Sequence, residues 1–318
     1  MRTTGLVLLA LVIAASLAAP LLAPNDPNRR FPDLQYAPPT PVHVFGEGST
    51  LYIYTQRLVS RRERKYENDQ SRPVAVRFLA SGRLMTADAD AGSPLLLLGA
   101  DSYGRDIFSR LLYGGRATLA VALIATLAAA WLGALIGGVA GSRSGWVDDV
   151  LSRLSEFVLV LPTIYVALAL RAVMPLILSS TQVFLLLTGI FTLLGWPVVA
   201  RGVRAIVVAE RERDYAVAAR AAGAGPARLL IHHLLPAANG YVLTQASLLL
   251  PAFILAEATM SFVGLGFPQD VATWGTMLQD ASNIAMLADA PWMLAPALPI
   301  FLVVLAVQIA VRRPALPR

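Results

Sequence analysis

Six long apolar runs alternate with polar stretches along the chain: Leu6–Ala23, Ala117–Ala140, Phe157–Leu178, Gln182–Ala200, Tyr241–Gly264 and Trp292–Val311. Each is near or above the roughly 18–20 residues that a helix needs to cross a hydrocarbon core. None alternates with a period of two, as transmembrane strands would. The pattern predicts an all-α polytopic membrane protein with six transmembrane helices. The first falls within residues 1–24 and the rest at about 117–140, 157–178, 182–200, 241–264 and 292–311. The first run ends in S-L-A-A-P, which resembles a signal-peptidase site. It is long for a signal segment, and an even number of spans returns both termini to one side, so a retained helix is expected.

The polar stretches differ in kind. Residues 25–98 are rich in proline (Pro27, Pro32, Pro38, Pro39, Pro41, Pro73, Pro94), carry a charge cluster at Arg61–Asp69, and contain the alternating pieces T-L-Y-I-Y and V-A-V-R-F. Alternation of this kind predicts short strands. The stretch reads as a small extracytoplasmic module of irregular and strand structure, in which His43 is a packing or surface residue. From Gly99 to Arg116 the chain reads G-A-D-S-Y-G-R-D-I-F-S-R-L-L-Y-G-G-R. Asp101 can cap a turn, and Ile107, Phe108, Leu111 and Leu112 recur at helical spacing, which predicts an interfacial amphipathic helix leading into the second span. After the fifth run, glycines and Pro268 end the helix, and Trp274 and Met277 restart an amphipathic turn.

The most ordered polar stretch is the island at 201–239. Glu212–Ala222 is Ala-rich with acids at its start, as a helix N-terminus favours. Gly223, Ala224, Gly225 and Pro226 interrupt it, and Ala227–Leu235 forms a second short helix that Pro236 is expected to stop. The two glycines allow the sharp turn. A loop of this length is usually functional or disordered, and this one has the marks of a helix–turn–helix.

Composition sharpens the class. Of 318 residues, 56% are hydrophobic and 14% charged, against about 25% charged in an ordinary soluble domain. There is no cysteine, which excludes disulfide frameworks and thiolate metal sites. The net charge of +6 comes almost wholly from arginine, scattered over many segments, so nucleic-acid binding is not indicated. Arg2, Arg143, Arg153, Arg201, Arg204, Arg312, Arg313 and Arg318 flank span ends and put both termini and the island in the cytoplasm. Trp146 suits an interfacial anchor. Within the spans Arg171 and Glu257 are the ionisable groups at depth, and they are expected to face each other across the bundle. No G-x-x-x-x-G-K-[ST] loop is present to cradle a nucleotide. His232 and His233 are adjacent and have no acid between them, so a metal site there is not expected. A secondary transporter or channel working without an ATPase is the alternative function, but it calls for more buried acids or paired broken helices.

Three stretches together resemble the permease subunits of bacterial ATP-binding-cassette importers, in the dipeptide, oligopeptide and nickel branch. The island follows the family's coupling-loop pattern, E-A-A, three residues, G, nine residues, then I-x-L-P, at Ala218, Ala219, Gly223, Leu235 and Pro236. Val217 stands where the pattern has Glu and His233 where it has Ile. Glu212, Asp214, Tyr215, Ala218, Ala219, Arg220, Ala221 and Gly223 fit the longer form E-x-D-Y-x-x-A-A-R-A-x-G. Gly99–Gly114 is similar to the branch's L-G-T-D-x-x-G-R-D-x-x-S-R-x-x-Y-G segment, and Ser261–Met277 to its S-F-L-G-L-G…W-G-x-M segment. The resemblance covers residues from Gly99 onward, a transmembrane domain at 99–318, and fits the second of two paired permeases. It implies half of a translocation pathway for peptides or similar small solutes in the cytoplasmic (inner) membrane. The implied partners are a homologous permease, two cytoplasmic ATPase subunits, an extracytoplasmic substrate-binding protein and the lipid bilayer. ATP and Mg would be bound by the ATPase, leaving this chain without a cofactor and without catalytic residues. The two helices of the 201–239 loop would dock in a cleft of the ATPase and carry its closure to the membrane helices.

Overall fold

The computed structural model describes residues 2–44, 51–60, 64–87, 92–173, 175 and 178–311, apart from the side chains of residues 72, 163, 284 and 285. Arg312, Arg313 and Arg318, part of the charge cluster at 61–69 and part of the predicted third span lie outside the described residues. In chain order the elements are α1 (Arg2–Leu17), α2 (Ala19–Leu22), β1 (Val42–Val44), β2 (Leu51–Ser60), β3 (Lys65–Ala75), β4 (Arg77–Ala80), β5 (Arg83–Thr86) and α3 (Ile107–Ser142). They continue with α4 (Trp146–Val160), α5 (Thr163–Val173), α6 (Ser180–Glu210), α7 (Asp214–Ala221), α8 (Pro226–Leu229), α9 (Leu235–Phe262), α10 (Trp274–Asp280), α11 (Ile284–Leu287) and α12 (Ala297–Val311).

Among the described residues, four helices are long and apolar enough to cross a membrane: Ile107–Ser142, Ser180–Glu210, Pro226–Phe262 and Pro291–Val311. The bent pair α4–α5 makes a fifth if it counts as one span, and Thr3–Leu17 is a shorter apolar helix. The third run differs most from its prediction. The expected single helix over 157–178 is divided at Leu161–Pro162, starts earlier at Trp146 and closes at Val173. Leu161 sits in an extended conformation (φ −68, ψ 130), because the residue before a proline is pushed out of the helical region. The amphipathic helix expected before the second span is not separate. From Gly99 the chain is non-helical up to Asp106 and then runs as one helix from Ile107 to Ser142.

Two compact units divide after Leu119 and again after Glu257. In the first, α1 packs along α12. The seam is close: a Cβ on Gly5 would lie 2.5 Å from the Ala306 carbonyl oxygen and 2.7 Å from the Ala310 nitrogen. Residues 42–86 hold two antiparallel sheets, β1–β2–β3 and β4–β5. Side chains alternate across a strand, and Ile53 on β2 points into a small core with Val76, Ala87 and Leu95. His43 stacks on Tyr52 with ring centroids 5.4 Å apart. A second cluster of Phe31, Leu34, Ala37, Leu96 and Ala100 closes the turn before α3.

In the second unit, α3 meets α6 through glycines. Gly133, Gly137 and Gly141 recur every four residues, so they share one helix face. Cβ atoms there would collide with Trp196 and Val199, with the backbone of Ala200, and with Arg204 and Val207. Gly195 makes room for Phe253, whose ring stacks on Phe191 at 5.4 Å, and Gly202 for the ring of Tyr241. Small residues let membrane helices approach until backbones touch, which is how such helices gain packing energy without a hydrophobic driving force. Tyr241 completes the contact by donating its hydroxyl to the Val198 carbonyl at 3.1 Å.

Candidate functional site

The island is a braced pair of short helices. Its first part is the end of α6, which stays helical to Glu210. Arg204 holds the start of α4 through both carboxylate oxygens of Asp148, with Nη2 to Oδ2 at 2.7 Å. Arg211 donates to the Gly141 carbonyl at 3.1 Å and to Ser144 Oγ at 3.3 Å, pinning the loop to the end of α3. α7 then folds back on α6: the Tyr215 hydroxyl donates to Glu210 Oε2 at 2.7 Å, and the Arg220 guanidinium donates to the Arg211 carbonyl. Glu212 pairs with Arg211 at 3.1 Å, largely in water, where such a pair is worth little. Asp214 opens α7, where a carboxylate meets the positive end of the helix dipole.

The turn between α7 and α8 rests on one glycine. Gly223 has φ +85, its N–H bonds the Arg220 carbonyl and the Ala224 N–H bonds the Ala219 carbonyl, both at 3.0 Å. This is a Schellman closure with glycine at the left-handed position. Gly225, also expected to permit the turn, has an ordinary φ of −70 and caps α8 ahead of Pro226. Buried Ala216 and Leu229 face inward. Tyr215, Val217, Ala218, Ala221 and Ala222 are exposed, while Ala219 is half-buried. The loop therefore presents small and apolar side chains outward, with acids and arginines around them.

Pro236 does not stop the second helix, contrary to expectation. α8 passes through a π-helical turn, Leu230–Leu234, directly into α9. The Leu235 N–H reaches back to the Leu230 carbonyl, a five-residue step. Proline has no N–H to give the carbonyl four residues earlier, and the widened turn accommodates it. Leu235, half-buried, lies against Gly138, and Pro236 is exposed. Deeper in the same unit, Arg171 and Glu257 are both buried, and Arg171 Nη1 donates to the Pro175 carbonyl at 3.3 Å.

The first unit holds a cluster that the sequence pattern marks only as a packing helix. Asp101 Oδ1 accepts from the backbone of Tyr103 and Arg105, both at 2.9 Å. The Arg105 side chain bridges Asp101 Oδ2 at 2.6 Å and Asp280 Oδ2 at 2.8 Å, and it also donates to the Gln269 carbonyl. Arg110, fully buried, lies 3.6 Å from Asp101 Oδ2. These ions clamp the 99–116 segment to the 264–280 segment. Burial, and then the charge of Asp101, push the Asp280 carboxyl up to about 6, against the pull of Arg105 and Arg110. Alongside, buried Asp106 accepts from Asn25 Nδ2 at 3.0 Å, from the Phe108 N–H at 3.1 Å and from Ser109. Burial outweighs these donors and raises it to about 6. The Asp101–Arg105 spacing of four is a readable signal, but Asp280 is too distant in sequence to be paired by pattern.

Known proteins fit this arrangement. Residues 133–313 match the family described as binding-protein-dependent transport system inner membrane component. A peptide permease protein of Brucella ovis, whose name carries the qualifier "putative", is 37% identical over 211 residues, covering 66% of this chain and 68% of the relative. A dipeptide transport system permease protein of Alkalihalophilus pseudofirmus is 34% identical over 208 residues, 65% of this chain and 66% of its own. A di/tripeptide transport system permease protein of Pseudomonas aeruginosa is 29% identical over 306 residues, 96% of this chain and 83% of its own. The chain belongs to the inner-membrane permease family of binding-protein-dependent transport systems, and is a transport subunit of an ATP-binding-cassette importer rather than an enzyme.

Proposed function

We propose that this permease forms half of a pathway for peptides or similar small solutes and is driven through its 201–239 loop by a cytoplasmic ATPase. The single observation that carries this is the build of the loop. Two short helices joined at Gly223 are held by Arg204, Arg211, Tyr215 and Arg220 to the ends of α3, α4 and α6. A force on α7 therefore reaches three membrane helices without passing through slack chain. The outward face of Val217, Ala218, Ala221 and Ala222 admits close approach of another protein, and Glu212 and Asp214 supply charge at its edge. The peptide assignment rests on the names of the relatives. A second homologous permease, two ATPase subunits that bind ATP and Mg, and an extracytoplasmic substrate-binding protein complete the assembly. Both termini and the loop then lie in the cytoplasm, and residues 25–98 outside, in six spans counting α1 and the bent α4–α5 pair. Within that bundle Arg171 and Glu257, both buried, act together as the ionisable pair, although Arg171 makes no ion pair within 4.0 Å among the described residues. If Arg171→Glu and Glu257→Arg are each defective, the double swap should regain function; equal failure of all three removes the pair.

The test of the loop is co-purification with the ATPase and ATP-driven uptake by the reconstituted importer. Proline fixes φ near −65 and cannot occupy the φ +85 of residue 223. Gly223→Pro should insert normally yet lower ATP-driven uptake at least about tenfold, the scale on which a misplaced positioning element acts. Gly225→Ala, at an ordinary φ, should retain it. Full uptake by Gly223→Pro, or uptake by the permeases without any ATPase, would refute the assignment.

A further inference from the structure

The β4–β5 hairpin carries apolar side chains where a soluble hairpin would carry polar ones. Phe78 is 53% exposed, Leu79 74% and Leu84 39%. Phe78 pairs with Met85, so Leu84, one residue away, projects from the opposite face and the hairpin is apolar on both sides. Exposed apolar surface of this kind marks contact with another apolar phase. Leu79, Ser81 and Gly82 all have positive φ (52, 54 and 74), so the tip is tightly wound and its side chains are held outward. The hairpin lies against α2, the end of the first apolar helix, whose Leu21 is exposed as well. Two hydrogen bonds fix it there: Arg83 Nη1 donates to the Pro24 carbonyl at 2.7 Å and Thr86 Oγ1 to the same oxygen at 3.3 Å.

Beside these apolar residues is a cavity of about 330 Å³. Arg29, Arg77 and Arg83 line it together with one acid, Asp26, whose Oδ1 is engaged by the Asn28 N–H at 2.8 Å. Three guanidinium groups against one carboxylate leave an excess of positive charge. Arginine is the side chain best shaped to grip phosphate oxygens in pairs. Apolar groups next to arginines, at the level where an apolar helix ends, match the headgroup boundary of a bilayer, where acyl chains and phosphates lie a few ångströms apart.

We propose that the β4–β5 hairpin is a membrane anchor of the 25–98 module, with Phe78, Leu79 and Leu84 in the headgroup–acyl boundary and the Arg29–Arg77–Arg83 cavity holding the phosphate of an anionic phospholipid. The inference rests on the reading that α1 crosses the bilayer, but not on coupling to an ATPase, so uptake assays and the present test fail independently. Occupancy of the cavity would reach the entry of α3 over a short path. Pro24 bonds the hairpin, and the next residue, Asn25, bonds Ser109 Oγ at 3.1 Å and Asp106 Oδ2 at 3.0 Å.

The absence of cysteine makes the test direct. The full chain, with its partner permease, is labelled with an environment-sensitive fluorophore at Leu79→Cys and reconstituted in phosphatidylglycerol-containing vesicles. A second preparation is labelled at Glu67→Cys, on the other sheet. The expected result is quenching of the Leu79 label by lipid-borne quenchers and of the Glu67 label only by aqueous ones. In parallel, phosphatidylglycerol retained through purification should fall about tenfold in Arg29→Gln/Arg77→Gln, as expected for losing two interfacial cations. Adding inorganic phosphate should not displace it; displacement at millimolar phosphate would mean that the cavity takes free phosphate and would overturn the lipid assignment. A Leu79 label quenched only from water overturns the anchor. So does a label shielded only when a substrate-binding protein is added, which would make the hairpin a protein-docking surface.

Discussion

Gly223 and Gly225 stand two residues apart and do different work. Only Gly223 occupies the left-handed region, where a Cβ costs roughly 1–2 kcal/mol; Gly225 begins a helix from an extended conformation. The sequence shows that a turn is needed there but not which glycine makes it, because the choice depends on where the last carbonyl of α7 falls. Asp106 makes a second residue-scale case. Its folded value of about 6 lies above the ordinary carboxylate value of 3.8 because burial penalises the charge. A carboxyl raised in this way favours folding while protonated in the folded state. Its contribution is fully present below about pH 4 and is lost as pH rises through about 6, with a span on the order of 3 kcal/mol. Thermal unfolding of the purified chain between pH 4 and 7.5 should therefore show the wild type losing stability relative to Asp106→Asn as pH rises. A difference that stays flat over that range would mean that the four donated hydrogen bonds, not burial, set this carboxyl.

At the scale of elements, the α3–α6 seam depends on glycine for its close approach. Gly137 is its centre, with its Cα side against the Ala200 backbone. Gly137→Leu has no space to enter and should separate the helices, at several times the roughly 1–3 kcal/mol of ordinary overpacking. Gly189→Leu, where a Cβ meets nothing within 4 Å, should be near neutral. Denaturation midpoints in detergent compare the two directly, and equal midpoints would remove the seam from the account. The four-residue glycine spacing in an apolar run is legible from the residues alone as a helix-packing pattern. Its partner helix is not, since the surface that receives the glycines is largely backbone, with only Val199 and Val207 offering side chains, and valines are common in every span. The same limit explains Asp280, a lone acid in sequence that becomes one end of a buried clamp with Arg105. Pro162 and Pro236 show the converse. Both are visible as helix punctuation, yet one divides a span and the other is absorbed by a π-turn, because the outcome depends on whether neighbouring carbonyls can be satisfied.

For the whole molecule, hydropathy locates the long helices, and the alternating pieces at 50–54 and 74–78 anticipate β2 and the junction of β3 with β4. Boundaries are less legible: α3, α6 and α9 extend well beyond their apolar cores, and those polar extensions carry the loop that the family resemblance singles out. A polar helix end is indistinguishable from a loop by hydropathy alone, while its Arg204–Asp148 and Arg211–Gly141 braces appear only once helices are assembled. The central claim is that α7 and its Gly223 turn form the joint between an ATPase and the membrane helices. Its most direct measurement is site-specific cross-linking from a single cysteine at Ala218, in a chain that otherwise has none, to the ATPase in the assembled importer. The account predicts an adduct from Ala218→Cys that changes in yield with ATP, and none from Glu67→Cys. Active, ATP-driven transport with no adduct at Ala218 or its exposed neighbours Val217 and Ala221 would contradict it.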